Sequence, residues 1–455
     1  MKKKQVSLLL ACAMVTGLTA CGGSTAATQA PATQAPAATE AATTAAAADA
    51  GTAAATEAGG KITVLLPQHE MDTVGFYEKK SKEFQEQTGI EVELINMSWD
   101  EVANRVIAEM SSGGSSYDVI EFDNSWVARF NDNDWLEPLD GYVTDEIKNG
   151  IVPGLLDKFT AEGKLYGIVW NNDTRFLMYN KQKLADAGID KVPTTWAELS
   201  DASAKMKEAG VADYGYVDSY MQAQSGCNEF VQTVYSFGGN FFDKDGNPVM
   251  ATDAGIKKAY EYLVSAYNDG VVDPNCISAD YETCANTYYS GSTAFFIQAW
   301  PGVYASANDS SVSNIVDQTE VAPTAISGDG TTPCVLTLPE AMAIPKTSKN
   351  KDAAWKYIEF MSSKDFDKEK CETIGALPVY TDLFADADLL KSYPYWEQFG
   401  TQSESAKGLP DLLWFDEFSN VVQIESINII TGGESVEDGL ASMQSQCETI
   451  MKNYQ

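Results

Sequence analysis

FQEQTGIEVELINMSWDEVANRVIAEMSSGGSSYDVIEFDNSW, residues 84–126, decides the fold. Val74, Tyr77 and Phe84 recur at helical spacing and mark a helix from Val74 to Gln87, which Thr88-Gly89 ends. Ile90 to Ile95 then alternates apolar and polar residues as a strand. Asp100 caps a second helix running to Met110, with Val102, Val106, Ile107 and Met110 on one face. Beyond the Ser/Gly turn at 111–116, Asp118 to Phe122 is a further strand. Upstream, Lys61 to Leu66 alternates toward a strand that stops at Pro67. Strand, helix, strand, helix, strand predicts a parallel, doubly wound sheet. Ligands of such sheets bind beyond the carboxyl ends of the strands. That rule places Gln68-His69-Glu70, Asn96 to Trp99, and Asp123-Asn124-Ser125-Trp126 on a binding rim.

The pattern restarts downstream. Leu177 to Asn180 predicts a strand, Thr194-Thr195-Trp196 opens a helix to about Glu208, and Phe241 to Met250 a hairpin. Asp253 to Asn268, Ala353 to Met361 and Phe418 to Thr431 predict further helices. Residues 61–455 are too many for one ordinary core and predict two lobes of mixed α/β structure. No internal repeat is present.

The amino-terminal end predicts export. Lys2, Lys3 and Lys4 precede an apolar stretch from Val6 to Leu18, shorter than the about 20 residues that span a bilayer. Leu18-Thr19-Ala20-Cys21 resembles the lipobox of bacterial lipoproteins, which implies a signal peptide over 1–21 and lipid on Cys21, anchoring the chain to the outer face of the cell membrane. Residues 22–60 are nearly all Ala, Thr, Gln, Pro, Gly and Ser, and predict a disordered tether. The formal charge of −34 argues against nucleic acid, whose binders carry a basic footprint. Arginine occurs only at 105, 129 and 175. Cys227, Cys276, Cys284, Cys334, Cys371 and Cys447 remain in the body; export permits disulfides, and Cys276 lies close enough to Cys284 to pair, while buried free thiols are the other reading. No CxxC or Cys/His spacing calls for a metal, and no cofactor is expected. Asp243-Lys-Asp-Gly-Asn247 begins like a calcium loop, but Ala254 stands where its closing Glu belongs, so a hairpin turn is predicted.

Spread over 61–455, the sequence resembles the extracellular solute-binding proteins of bacterial ABC importers, in the branch that takes up sugars. The resemblance rests on residues 84–126, on NDWLEPLDGY, on GKLYGIVWNNDTRFLMYNKQKLADAGIDKVPTTWAEL, on FGGNFFDKDGNPV and GSTAFFIQAW, and on AMAIPKTSKNKDAAWKYIEFM followed by GALPVY. It departs before Ala343-Ile-Pro345, where the family is often glycine-rich and this chain has Cys334-Val-Leu-Thr-Leu-Pro-Glu-Ala. The resemblance implies the α/β, two-lobed, periplasmic-binding-protein-like (type II) fold, with a hinge of several crossings near 170–175, 291–296 and 334–341. Lobe 1 is expected to hold 61–172 and 296–336, and lobe 2 173–295 and 337–455. It implies a monomer that captures a sugar by lobe closure and delivers it to ABC permease transmembrane subunits.

A sugar site needs carboxylates and amides for hydroxyl groups and aromatic faces for the ring. Asp123 and Asn124 sit on the rim, either as ligand contacts or as caps of the next helix; Trp126 either stacks on a ligand or packs in the core. Trp170 and Asp173 lie in a polar–aromatic run at a predicted crossing. Trp300 stands where the family places a stacking Trp, with core packing the other reading, and Asp218 and Tyr220 where related proteins send a second-lobe loop into the cleft, with a surface loop the other reading; Trp414 is also expected to reach the cleft. Glu70 and Trp99 complete the expected contacts. The same clamp binding a polyamine or peptide is the alternative. A secreted glycosidase needs two carboxylates flanking a bond; Glu121 and Asp123 share one strand face and do not flank it. His69 is the only histidine, and no GxSxG or HExxH motif is present, so no enzymatic activity is expected.

Overall fold

Seven segments, Lys61–Pro67 (β1), Phe76–Thr88 (α1), Glu91–Met97 (β2), Trp99–Ser112 (α2), Val119–Asp123 (β3), Val127–Asp132 (α3) and Ile168–Asn171 (β4), build the first lobe of the computed structural model. It describes residues 60–69, 72, 74–322, 326–328, 335–396, 399 and 406–454, all within the unit Thr56–Gln455. The signal, Cys21, residues 22–59 of the tether, Glu70 and Cys334 lie outside the described residues. Helix α1 starts at Phe76 and not at Val74, which is 64% exposed and forms no part of the apolar face. Helix α2 is capped by Ser98 in a reciprocal capping box with Glu101, and not by Asp100. That shift leaves the Asp100 side chain available to the cleft.

The second lobe follows with Phe176–Asn180 (β5), Trp196–Glu208 (α4), Tyr214–Tyr216 (β6), Gln224–Ser236 (α5), Ala254–Asn268 (α6), Tyr281–Ser290 (α7), Thr293–Ala299 (β7) and Thr319–Val321 (β8). The chain then returns to the first lobe as Glu340–Ala343 (β9), Lys351–Met361 (α8) and Lys364–Ile374 (α9), and ends in the second with Phe415–Ile430 (α10) and Val436–Met451 (α11).

The first sheet has the order β2-β1-β3-β9-β4. Strands β1, β2 and β3 are parallel, as their alternation with helices requires, and β9 is antiparallel to β3 and β4. The second sheet has the order β8-β5-β7-β6. Its central strands β5 and β7 are buried on both faces: Leu177 and Phe295 pack into the second-lobe core, while Met178 and Phe296 join the core beneath the first lobe.

Two crossings lie side by side. Arg175 N donates to Leu336 O (3.0 Å), Leu338 N donates to Asp173 O (2.7 Å), and the Thr174 and Thr337 hydroxyls meet at 3.1 Å. The crossings expected near 170–175 and 334–341 fall here. The one expected near 291–296 does not exist: β7 lies between β5 and β6 inside the second sheet. The expected lobe boundaries are corrected with it, because residues 296–321 supply strands to the second sheet and 340–343 a strand to the first. A third passage runs beside them at Lys407, whose N donates to Val335 O (2.9 Å) and whose O accepts from Thr337 N (2.9 Å). The five described body cysteines outside 334 are buried free thiols, so Cys276 and Cys284 are unpaired. Among the described residues, no helix is long and apolar enough to cross a membrane.

Candidate ligand cleft

Parallel strands deliver their last residues to one edge of the first sheet, and a cleft of about 260 Å³ opens there. β1 ends at Pro67 and leads into Gln68-His69, β2 leads into Ser98 and the start of α2 at Trp99-Asp100, and β3 ends at Asp123. The antiparallel register of β9 places Glu340 opposite Asp123 on one side and Asn171 on the other. Three neighbouring strands thus present a carboxylate, a carboxylate and an amide in one row. From the second lobe come Met221, Asn228 of α5, Asp280 and Tyr281 where α7 begins, and Trp300-Pro301 after β7; Asp173, Arg175 and Leu338 form the floor at the paired crossings.

The row is electrostatically graded. Asn171 Nδ2 donates to Glu340 Oε2 (2.7 Å), and His69 Nε2 lies 3.3 Å from the same oxygen. Burial pushes Glu340 up, but the charge and hydrogen bond of His69, with Asn171, outweigh it and hold the carboxyl below the usual range. Burial pushes Asp123 up to about 6; its Oδ1 accepts from Ser125 N (2.8 Å) and Ser125 Oγ (2.5 Å). Glu121 is 0% exposed behind this row and accepts from Trp170 Nε1 (3.3 Å). Burial, with Glu340 and Asp123 adding, pushes it well above the carboxylate range. It does not line the cleft and is no partner for Asp123 across a glycosidic bond.

Arg175 organises the floor. One guanidinium nitrogen lies 2.9 Å from Asp173; the other lies 3.5 Å from Glu229 and donates to Gln298 O (3.1 Å). Tyr281 and Trp300 stand at 4.8 and 5.2 Å from the guanidinium carbon, so the cation braces both aromatic walls. Behind it, Gln298 Nε2 donates to Asp218 Oδ2 (3.2 Å). Burial raises Asp218 to about 7 and Glu229 well above its usual range.

Across the mouth the lobes touch. Ser225 Oγ donates to Asp100 Oδ2 (3.1 Å), Gln224 Nε2 donates to Ser125 Oγ (3.2 Å), and Arg129 pairs with Asp416.

Of the residues singled out in the sequence, the fold brings Trp99, Asp123, Asp173 and Trp300 to the cleft wall. It keeps five others off it. Asn124 is buried in the turn behind Asp123. Trp170 packs edge-on against His69 and Tyr77 because β4 turns its ring into the sheet's underside. Asp218 lies behind Gln298, Tyr220 is enclosed against Phe230, and Trp414 packs on Phe242 and Phe418. Trp126 is core, stacked on Phe130. Asp100, Arg175, Asn228, Asp280, Tyr281 and Glu340 were not anticipated. Arg175 carried a signal, as one of three arginines placed in a predicted crossing; the Ser98–Glu101 capping box could have released Asp100.

The family described as bacterial extracellular solute-binding protein matches residues 69–368. A Sinorhizobium fredii protein whose name assigns it to an amino-acid ABC transporter is 28% identical over 82% of this chain and 85% of its own. The mannitol-binding protein of Pseudomonas aeruginosa is 23% identical over 66% of this chain and 69% of its own. The maltose-bound MalE3 of T. maritima superposes with a TM-score of 0.80 at 24% identity, covering 86% of this chain and 100% of that one. With a family match spanning well over half its length and a two-lobed fold closed around a polar–aromatic cleft, the chain belongs to the bacterial extracellular solute-binding proteins.

Proposed function

We propose that this chain is the extracellular, lipid-anchored capture component of an ABC importer and that it takes up a carbohydrate. The observation that carries the reading is the row Asp123, Glu340 and Asn171 lining one cleft with the rings of Trp99, Tyr281 and Trp300. Carboxylates and an amide in line accept from and donate to vicinal hydroxyls, and the rings cover the apolar C–H face of a sugar. The volume, below the about 300–1,000 Å³ of pockets for drug-sized ligands, suits a monosaccharide, a polyol or a short oligosaccharide. Relatives named for mannitol and maltose span that size range.

A second reading comes from the relative assigned to amino-acid transport. An amino acid brings a carboxylate that needs a cation. Arg175 is already shared by Asp173 and Glu229, and His69 faces Glu340, so the cleft has little to offer it.

Capture works as an equilibrium: ligand bridging both walls favours the closed lobes by its differential affinity for them. The protein performs no chemistry on the ligand, acts as a monomer, and presents its closed form to the permease. Lipid on Cys21 and the 22–60 tether keep it at the membrane surface; a Cys21→Ala variant should leave the membrane fraction. A thermal-shift screen against monosaccharides, polyols, oligosaccharides, polyamines and peptides tests the ligand class. A glycan that raises the melting temperature and is recovered intact supports the proposal. A response to peptides or polyamines alone refutes the carbohydrate reading, and new reducing ends would make the protein an enzyme.

A further inference from the structure

The charge of the cleft is unbalanced in a way a neutral sugar does not repair. Six carboxylates line it, those of Asp100, Asp123, Asp173, Asp280, Glu282 and Glu340, and the basic side chains among the described lining residues are Arg175 and His69. Arg175 is held by Asp173 and Glu229, and His69 by Glu340. Asp100, Asp123, Asp280 and Glu282 have no basic partner among the described residues.

Two of these oppose each other. Asp100 comes from the first lobe beside Trp99, and Asp280 from the second beside Tyr281, so each wall contributes an adjacent aromatic ring and carboxylate. Asp100 is held by the hydroxyl and the backbone of Ser225, and Thr283 N donates to Asp280 Oδ1 (2.8 Å); neither carboxylate meets a cation among the described residues. They are near enough for the charge of Asp280 to raise the pKa of Asp100, on top of the larger effect of burial. Asp123, 1% exposed, has no described partner at Oδ2. Closing the lobes over a neutral ligand brings like charges together and takes them from water, both of which oppose closure. A cation between them reverses the sign.

Resting on the carbohydrate reading above, we infer that the ligand is a cationic saccharide, an amino sugar or amino polyol of about one ring whose free ammonium sits between Asp100 and Asp280. Its hydroxyls meet the row of Asp123, Glu340 and Asn171, and its C–H face meets Trp99 or Tyr281. A linear diamine supplies the charge but leaves Asn171, Asn228 and the rings without their partners. The ammonium acts as the bridge that makes closure favourable.

Isothermal titration of the full-length protein with glucosamine and galactosamine, their N-acetyl forms, the neutral hexoses and putrescine tests the inference. A free-amine sugar should bind at least ten-fold more tightly than its N-acetyl and neutral counterparts. Asp280→Asn, which keeps the helix cap, should abolish that margin, and so should Asp100→Asn; unchanged melting curves of the variants establish that they fold. Neutral hexoses binding as tightly as amino sugars, or a margin that survives both substitutions, overturns the cationic ligand and leaves carbohydrate capture standing. Putrescine binding with no sugar response, or silence from every free-amine sugar, overturns the inference, and the former overturns carbohydrate capture with it.

Discussion

Replacing Asp123 by Asn removes a charge that the fold buries without a cation beside it. Burial raises this carboxyl from 3.8 to about 6, so folding strengthens its hold on a proton. Below pH 3.8 the folded and unfolded chains are both protonated there, and the group exerts no pH-dependent effect. As pH rises from about 4 to 6 the unfolded chain ionises first, and stability falls; above 6 the loss is complete. About two pKa units at about 1.4 kcal/mol each make that loss roughly 3 kcal/mol. Asn keeps an oxygen for Ser125 N and Ser125 Oγ but carries no charge, so the ligand-free variant should be more stable than wild type at pH 8 by up to that amount and equal to it at pH 4. Urea unfolding of both proteins across this range gives the comparison. The same variant should lose at least ten-fold in ligand affinity, because an acceptor of the row becomes an ambivalent amide. A stability difference that does not vary with pH, or a variant less stable at pH 8, refutes the claim that Asp123 is an uncompensated buried charge held for binding.

Trp300→Ala removes an aromatic wall at the centre of the cleft and should cost about 2 kcal/mol of binding, roughly thirty-fold; unchanged affinity in titration would show that the ligand lies elsewhere. Arg175→Lys cannot reach Asp173, Glu229 and Gln298 O together or stack between Tyr281 and Trp300, so it should destabilise the fold by about 3 kcal/mol and weaken binding as both walls loosen. A fully stable, ligand-competent lysine variant counts against the floor as described. Arg129→Ala breaks a partly exposed contact between the lobes with Asp416, worth about 0.2–1 kcal/mol. Affinity should fall by no more than about five-fold and become less sensitive to salt, as measured by titration at two ionic strengths.

The first lobe was legible because its information is local. Val102, Val106 and Met110 fall at helical spacing and are buried, and the alternation at 61–66 and 90–95 gives β1 and β2 to within a residue or two. The rim rule then brought Trp99 and Asp123 to the right edge. Glu340 was illegible for the opposite reason. Its neighbours Leu338-Pro339 and Ala341 resemble any short connection, and only the register of β9 between β3 and β4, across more than 160 residues of sequence, sets it beside Asp123 and Asn171. Trp170, Tyr220 and Trp414 failed for a further reason: an aromatic residue near a cleft is equally suited to the core, and the direction its strand or helix turns decides between them. Asp100 was lost to a cap two residues away.

Arginine occurs three times in the sequence, and the fold decides what that scarcity means for an anionic ligand. What matters is where the three arginines go. Arg105 is exposed on α2, Arg129 is spent on the contact between lobes, and Arg175 on the floor, where Asp173, Glu229 and two rings surround it. The residue that looks most suited to greet an anion is therefore the one least able to, since releasing it would take the cation away from the buried Glu229 and from Asp173. The cleft then presents its acids to the ligand and keeps its strongest base for itself. A cleft built this way withholds a cation from carboxylates and phosphates, and presents to hydroxyl or ammonium donors four acids that have no basic partner among the described residues.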